Sequence, residues 1–263
     1  MYEVHTQHAN PVTSYDGHSG NVTSVGFHSE CKWLYTGSED GTVKVWDMRA
    51  AGCSREYDVG APVNSALLHP NQGEIITADQ DGKLSVFDLV ADKCVYSDVA
   101  SPDSALRSVS VDPDAVCLVT ANNDGALSVY SASPSESGFY DKVDSFQAHD
   151  DYVLKVLFSP HGSLLATTSA DKTIKLWDVA YDDDDVPSFS HASTLIGHKA
   201  WVWDCVFSAD SAYLASASSD QVARLWNVSL GETIRQYTSH HKAVVTIALN
   251  DSTPDAAAAS SSS

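Results

Sequence analysis

The sequence predicts an all-β fold assembled from repeated four-stranded units, and three observations carry that prediction. Five segments share one shape: SEDGTVKVWD, DQDGKLSVFD, NNDGALSVYS, SADKTIKLWD and SSDQVARLWN. Each sets an aromatic residue six positions after an Asp, pairing Asp40 with Trp46, Asp81 with Phe87, Asp124 with Tyr130, Asp171 with Trp177 and Asp220 with Trp226. Successive Asp residues lie 41, 43, 47 and 49 positions apart. A constant short offset inside a variable period marks a rigid segment joined by adaptable loops. Helix signals are nearly absent; the apolar runs are short and bounded by Gly, Asp, Ser or Pro, which reads as strands.

Each unit reads as four strands. Two apolar runs precede the Asp: NVTSVGF and WLYTGS in the first unit, VWDCVF and YLASAS in the fifth. The third strand runs into the aromatic, and an outer strand follows, as ETIRQY does at 232–237. Four short strands per unit of about 40–45 residues is the WD-repeat signature of a β-propeller. Five units are complete, with partial units at both ends of a nominally seven-bladed ring. Tyr2-Glu3-Val4 lies one period before Trp46, and NPVTSYDGH fits an outer strand after it. AVVTIALND at 243–251 aligns with WVWDCVFSA as a first strand. The repeat arithmetic leaves about 55–60 residues of a seven-blade ring unaccounted for. The domain reading is therefore a propeller over 1–251, incomplete at its N-terminal side, and a disordered low-complexity Ser/Ala tail over 252–263.

Three units carry a His 22 residues before the Asp: His18 for Asp40, His149 for Asp171 and His198 for Asp220. The same units have Ser two before the Asp, at Ser38, Ser169 and Ser218, and Trp46, Trp177 and Trp226 as their aromatics. The other two units have no such His, carry Asp79 and Asn122 in place of Ser, and end on Phe87 and Tyr130. These residues come and go together, which predicts a His–Ser–Asp–Trp hydrogen-bond set locking a blade. The same residue types build hydrolase triads. Threefold repetition beside a Trp, and no GxSxG motif, favour scaffolding.

Charge and composition bound the partners. Thirty-five acids against fifteen bases give a net charge of −20. Phosphate-driven nucleic-acid binding is disfavoured, and a basic partner or an apolar docking patch is favoured. No run approaches the length of a spanning helix, and the N-terminus has no apolar signal segment. The five cysteines, Cys31, Cys53, Cys94, Cys117 and Cys205, form no CxxC. They read as buried reduced thiols of a cytoplasmic protein, with neither a disulfide frame nor a metal site. No cofactor and no small-molecule substrate are expected.

Propeller partners dock on the face formed by loops entering the innermost strands. Repeat register places Asn64, Arg107, Asn123, Tyr152, Trp201 and Trp203 on that face. Trp201 and Trp203 are two apart, outside the repeat's structural aromatic position, and are the expected binding hot spots. Tyr152 holds the equivalent place one unit earlier, and Arg107 can pair with a partner carboxylate. Asp182 to Asp185 read as a solvated loop, since a calcium loop needs ligands at alternating positions. The serines of the 131–141 loop are candidate phosphorylation sites.

Several stretches resemble one WD-repeat family: GNVTSVGFH (20–28), YTGSEDGTVKVWD (35–47), APVNSALLHPNQGEI (61–75), LATTSADKTIKLW (165–177), and above all WVWDCVFSADSAYLASASSDQVARLWN (201–227) with GETIRQY and HHKAVVTIALND. The chain is similar over Tyr15 to Asp251 to the G-protein-beta-like subunits of target-of-rapamycin (TOR) kinase complexes. The resemblance implies a seven-bladed, non-enzymatic scaffold that binds the kinase domain of TOR and belongs to TOR complexes, here without its first blade and most of its second. It implies a cytoplasmic location, with recruitment to endomembrane surfaces alongside the complex. Another WD-repeat adaptor, such as a ubiquitin-ligase substrate receptor or a G-beta-like signalling hub, is the alternative. A propeller enzyme would need an additional His, Asp or Glu cluster at the central channel.

Overall fold

The computed structural model describes residues 13–50, 52–132, 140–183 and 185–250. They form five four-stranded antiparallel sheets, each one sequence repeat and one blade of the WD-repeat β-propeller fold, with no helix among the described residues. Blade 1 contains β1 (Val22–Phe27), β2 (Trp33–Ser38), β3 (Thr42–Asp47) and β4 (Cys53–Asp58). Blade 2 contains β5 (Val63–Leu68), β6 (Glu74–Asp79), β7 (Lys83–Asp88) and β8 (Lys93–Val99). Blade 3 contains β9 (Leu106–Val111), β10 (Cys117–Asn122), β11 (Ala126–Ser131) and β12 (Asp141–Gln147). Blade 4 contains β13 (Val153–Phe158), β14 (Leu164–Ser169), β15 (Thr173–Tyr181) and β16 (Pro187–Ile196). Blade 5 contains β17 (Val202–Phe207), β18 (Tyr213–Ser218), β19 (Ala223–Asn227) and β20 (Glu232–Tyr237). The chain divides into two compact units: Met1–Gln147, with blades 1–3, and Ala148–Ser263, with blades 4 and 5.

Burial explains the strand composition. The second and third strands of each blade are largely buried, whereas the outer strands β4, β12 and β20 are mostly exposed. A strand covered on both faces needs apolar residues throughout, while an outer strand needs only alternation. Neighbouring blades share cores. Tyr35, Val43 and Val45 of blade 1 pack with Val63, Ile75 and Phe87 of blade 2. Ile76, Leu84 and Val86 of blade 2 pack with Leu106, Val109 and Leu118 of blade 3. In the second unit, Ile174 and Leu176 meet Val202, Phe207 and Trp226. Each fully buried Ile or Leu stabilises by about 1.5–3 kcal/mol.

Two local devices shape every blade. The turn after the second strand needs a residue with positive φ: Gly41, Gly82 and Gly125 in the first unit, Lys172 (φ 75°) and Gln221 (φ 70°) in the second. At Gly82 a Cβ would also fall 1.7 Å from the Ser101 carbonyl, so glycine is required there on space as well. The first strand of each blade carries a β-bulge, with the register slipping across Thr23, Asn64, Arg107, Leu154 and Trp203. A bulge re-aims the side chain it carries.

Some expectations are corrected. Thr13–His18 is not a strand; instead the Tyr15 ring lies 5.7 Å from that of Trp46. Residues 243–250 are not a strand either. Their apolar alternation is present, but no ladder partner lies beside them among the described residues, and strands exist only as pairs. They are held through Val244 N donating to Ser218 O, and through the Thr246 hydroxyl and Ile247 N donating to the Asp204 carboxylate at 2.9 and 3.0 Å. Cys31, Cys53 and Cys94 are exposed, and only Cys117 and Cys205 are buried, because Cys53 and Cys94 lie on outer strands and Cys31 in a turn. Residues 182–186 link β15 and β16, where Val186 N donates to the Asp182 carboxylate. Tyr2–Val4, residues 133–139 of the serine loop, Asp184 and the tail at 252–263 lie outside the described residues.

Candidate partner-binding face

Three blades contain the same polar relay. His Nδ1 meets the Asp carboxylate at 2.8 Å (His18–Asp40), 2.7 Å (His149–Asp171) and 2.9 Å (His198–Asp220). His Nε2 meets a hydroxyl at 2.7 Å (Thr36), 2.8 Å (Thr167) and 2.8 Å (Ser216). The indole N–H of Trp46, Trp177 or Trp226 donates to that same hydroxyl at 2.9–3.0 Å. The bridging hydroxyl is thus four residues before the Asp. Ser38, Ser169 and Ser218, two before it, do something else: each Oγ accepts from the backbone N–H of its Asp. Both positions lie on one face of the second strand, and the one deeper in the strand sits beside the indole.

The relay sets the charge state of its members. Burial raises the Asp171 carboxyl, but hydrogen bonds from His149 and Thr173 outweigh it and hold that group well below the usual range. Asp40 behaves likewise, with Thr42, His18 and Ser19 opposing burial. Burial lowers His198 more than Asp220 raises it. An Asp accepting from Nδ1–H leaves Nε2 to accept from the hydroxyl, which is the order of a hydrolase triad. Here, however, each hydroxyl oxygen already receives an indole N–H, and Thr36, Thr167 and Ser216 are only 9, 0 and 0 % exposed. Blade 2 replaces the relay with Asp79, whose Oδ1 accepts from Asp81 N and Lys83 N. In blade 3, Asn122 caps Asp124 N and Ala126 N in the same way.

The bulged residues lie beside these turns, and in blades 2, 3 and 5 the bulge bonds the residue sixteen positions on. In the first unit the pairs are polar. Asn64 donates to Gln80 Oε1 at 3.2 Å and to the Leu106 carbonyl of the next blade at 2.8 Å. Arg107 Nε donates to Asn123 Oδ1 at 2.6 Å. Thr23 Oγ1 donates to Val63 O at 2.7 Å, so bulge side chains also stitch blade to blade. Arg107 and Asn123 are therefore held together by their own hydrogen bond, whereas Asn64 bonds Gln80 and the Leu106 backbone.

In the second unit the bulge of blade 5 is Trp203, while Tyr152 and Trp201 lie two residues before the bulges Leu154 and Trp203. Trp203 Nε1–H donates to Ser219 Oγ at 2.6 Å, which orients its ring. The Trp201 ring lies 5.5 Å from that of Trp203, tilted by 55°, and 6.1 Å from that of Tyr152, tilted by 68°. Tyr152 and Trp201 are each 40 % exposed, and Trp203 is half-buried. These three residues form a shelf across blades 4 and 5. Its spacing was legible in sequence; Ser219 as the anchor of Trp203 was not.

Comparison with known proteins agrees with this architecture. The WD domain, G-beta repeat family matches residues 9–47, 140–178 and 189–227, the three repeats that carry the relay. The chain is 46% identical to target of rapamycin complex subunit wat1 of Schizosaccharomyces pombe, over 95% of this chain and 79% of that protein. It is 45% identical to target of rapamycin complex subunit LST8 of Saccharomyces cerevisiae, over 95% of this chain and 81% of that protein. It is 42% identical to the LST8 subunit of Mus musculus, over 96% of this chain and 79% of that protein. With identity at this level along nearly its whole length, on repeats that fold as WD blades, the chain belongs to the family of LST8 and wat1 target of rapamycin complex subunits.

Proposed function

We propose that this chain is a non-catalytic WD-repeat scaffold subunit of a TOR complex, docking on the kinase domain of TOR and supporting assembly and activity of the complex in growth and nutrient signalling. The observation that carries the docking site is the Tyr152–Trp201–Trp203 shelf: three mutually packed rings, two of them 40 % exposed. Large, rigid aromatics lose little entropy on binding and bury much apolar area. Asn64, Arg107 and Asn123 are the candidate polar contacts of the first unit, taken by itself. A scaffold without chemistry of its own is supported by the relays, whose hydroxyls are occupied and shielded. No helix among the described residues is long and apolar enough to cross a membrane. Cytoplasmic residence, with recruitment to endomembranes through the complex, completes the proposal.

The test is purification of the tagged chain from its own cells, followed by mass spectrometry. Recovery of a TOR-type kinase is expected. Replacing Trp201 and Trp203 with Ala should abolish that recovery while circular dichroism stays unchanged, each truncation costing about 2–4 kcal/mol of binding. Undiminished kinase recovery by the double variant would move the docking site elsewhere.

A further inference from the structure

The outer strand of blade 4 is unlike those of the other blades. β16 has ten residues, against six or seven in β4, β8, β12 and β20. Each of those four carries two or three charged side chains, whereas β16, PSFSHASTLI, contains no Asp, Glu, Lys or Arg. It stands last in its sheet, with no strand on its outer side among the described residues. Charge on an exposed edge is what ordinarily keeps it from pairing with another chain. The bulge in β16 is no substitute, because the outer strand of every blade has one. Pro187 takes the first position of the strand, where proline leaves the rest of the edge open. The two ends of the strand are complementary. Ile196 at one end is 76 % exposed, and Lys199 just beyond it is exposed with no ion pair among the described residues. At the other end Pro187 pairs with exposed Tyr181, and the turn between them carries exposed Asp182, Asp183 and Asp185.

We propose that β16 is a self-association edge, on which β16 of a second copy of this chain pairs antiparallel about a two-fold axis. Full overlap sets Ile196 of each copy opposite Pro187 of the other, beside Tyr181, and Thr194 opposite Phe189. These four strand residues share one face, because their ladder partners Thr173, Lys175, Val179 and Tyr181 are alternate residues of β15. Ile196, the most exposed apolar side chain of the strand, thereby gains apolar neighbours across the new ladder. The same overlap carries the acidic turn of each copy past the end of the other β16, toward its Lys199. A net charge of −20 on each copy opposes association in general. At this edge the charges brought nearest, Lys199 and the acidic turn, are opposite in sign, and the two-fold axis makes the match twice.

The test is sedimentation of the full chain over about 5–300 µM, a range suited to the small area of a strand-edge interface. The expected result is a reversible rise from the monomer mass toward the dimer mass. Ile196→Glu and Lys199→Glu, both at exposed positions, should each weaken the dimer about three- to tenfold, because each sets like charges against the acidic turn twice. Asp183→Lys combined with Lys199→Glu exchanges the signs and should recover the affinity that Lys199→Glu loses. Monomer mass at every concentration overturns the proposal, as does a dimer that both single variants leave intact. A dimer weakened by Lys199→Glu but not recovered by the charge exchange overturns the antiparallel pairing. A chain that stays monomeric while Ile196→Glu lowers TOR kinase recovery gives this edge to another partner and overturns self-association.

Discussion

Asp79 is where one atom can be exchanged and the outcome read as pH-dependent stability. The residue is fully buried at the end of β6. Its Oδ1 accepts two backbone N–H groups, at 3.0 and 2.9 Å, while its Oδ2 is buried with no hydrogen-bond partner. Burial raises its carboxyl above the ordinary 3.8, against the lowering effect of the Lys83 and Asp81 amides; the Asp81 charge adds to the rise and the Lys83 charge opposes it. Because the folded state holds this proton more tightly, its contribution to stability is complete below pH 3.8 and is lost as pH rises through the folded value. Asp79→Asn keeps both caps, as Asn122 does at the same position of blade 3. It also removes the charge. An unpaired buried polar group costs about 1–3 kcal/mol. The new amide inherits the unpaired position in neutral form, so the gain falls at the low end, about 1 kcal/mol near pH 7. Urea unfolding followed by tryptophan fluorescence between pH 4 and 7.5 measures it. The two proteins should converge at the acid end and separate as pH rises. A variant less stable at pH 7, or a gap independent of pH, would refute the reasoning.

Three further outcomes follow from the same geometry. Thr167→Val strands His149 Nε2 and the Trp177 indole in the interior and should cost about 2–4 kcal/mol, at least twice the cost of Ser169→Ala; equal midpoints in urea would contradict the relay order. Burial keeps His198 below its ordinary 6.5, so stability is complete above that pH and is lost as pH falls through the folded value; His198→Gln should flatten this part of the pH profile in thermal melts. Under native conditions a thiol reagent should label Cys31, Cys53 and Cys94 quickly, while Cys117 and Cys205, buried and with their thiol pKa values pushed up, react only after unfolding. Fast labelling of a fourth thiol would count against the packing of blade 3 or blade 5.

Periodicity made the blades legible. The Asp–aromatic offset located the third strand of every repeat, and ETIRQY coincides with β20. The relay was legible in its His, Asp and Trp, but its hydroxyl was not. Thr36, Thr167 and Ser216 have counterparts in Thr77 and Thr120, so a hydroxyl at that position does not distinguish blades with a relay from those without. The structure separates them. Thr120 Oγ1, with no His beside it and Tyr130 in place of Trp, is buried without a partner, and the Tyr130 hydroxyl turns to Asp98 instead. Residues 243–250 were misread for a complementary reason, because side-chain alternation records which face is apolar and is silent on whether a backbone partner exists. The bulges were equally hidden. Asn64, Arg107 and Trp203 were placed on the face by repeat register, yet it is a slipped ladder that aims them there.

The relay also bears on the order in which this chain assembles during synthesis. Its His and Asp are 22 residues apart, and the whole circuit closes inside one repeat. Blades 1, 4 and 5 can therefore lock as soon as their own residues have left the ribosome. Blades 2 and 3 have no such circuit and rely on distant contacts: Leu68 N to the Tyr35 hydroxyl, Asn64 to Leu106 O, and His69 to the Tyr140 hydroxyl, separated by 33, 42 and 71 residues. Translation delivers blade 1 before blades 2 and 3, so the two dependent blades emerge beside a blade that can already be locked, and the exposed interval of their unpaired strands is shortened.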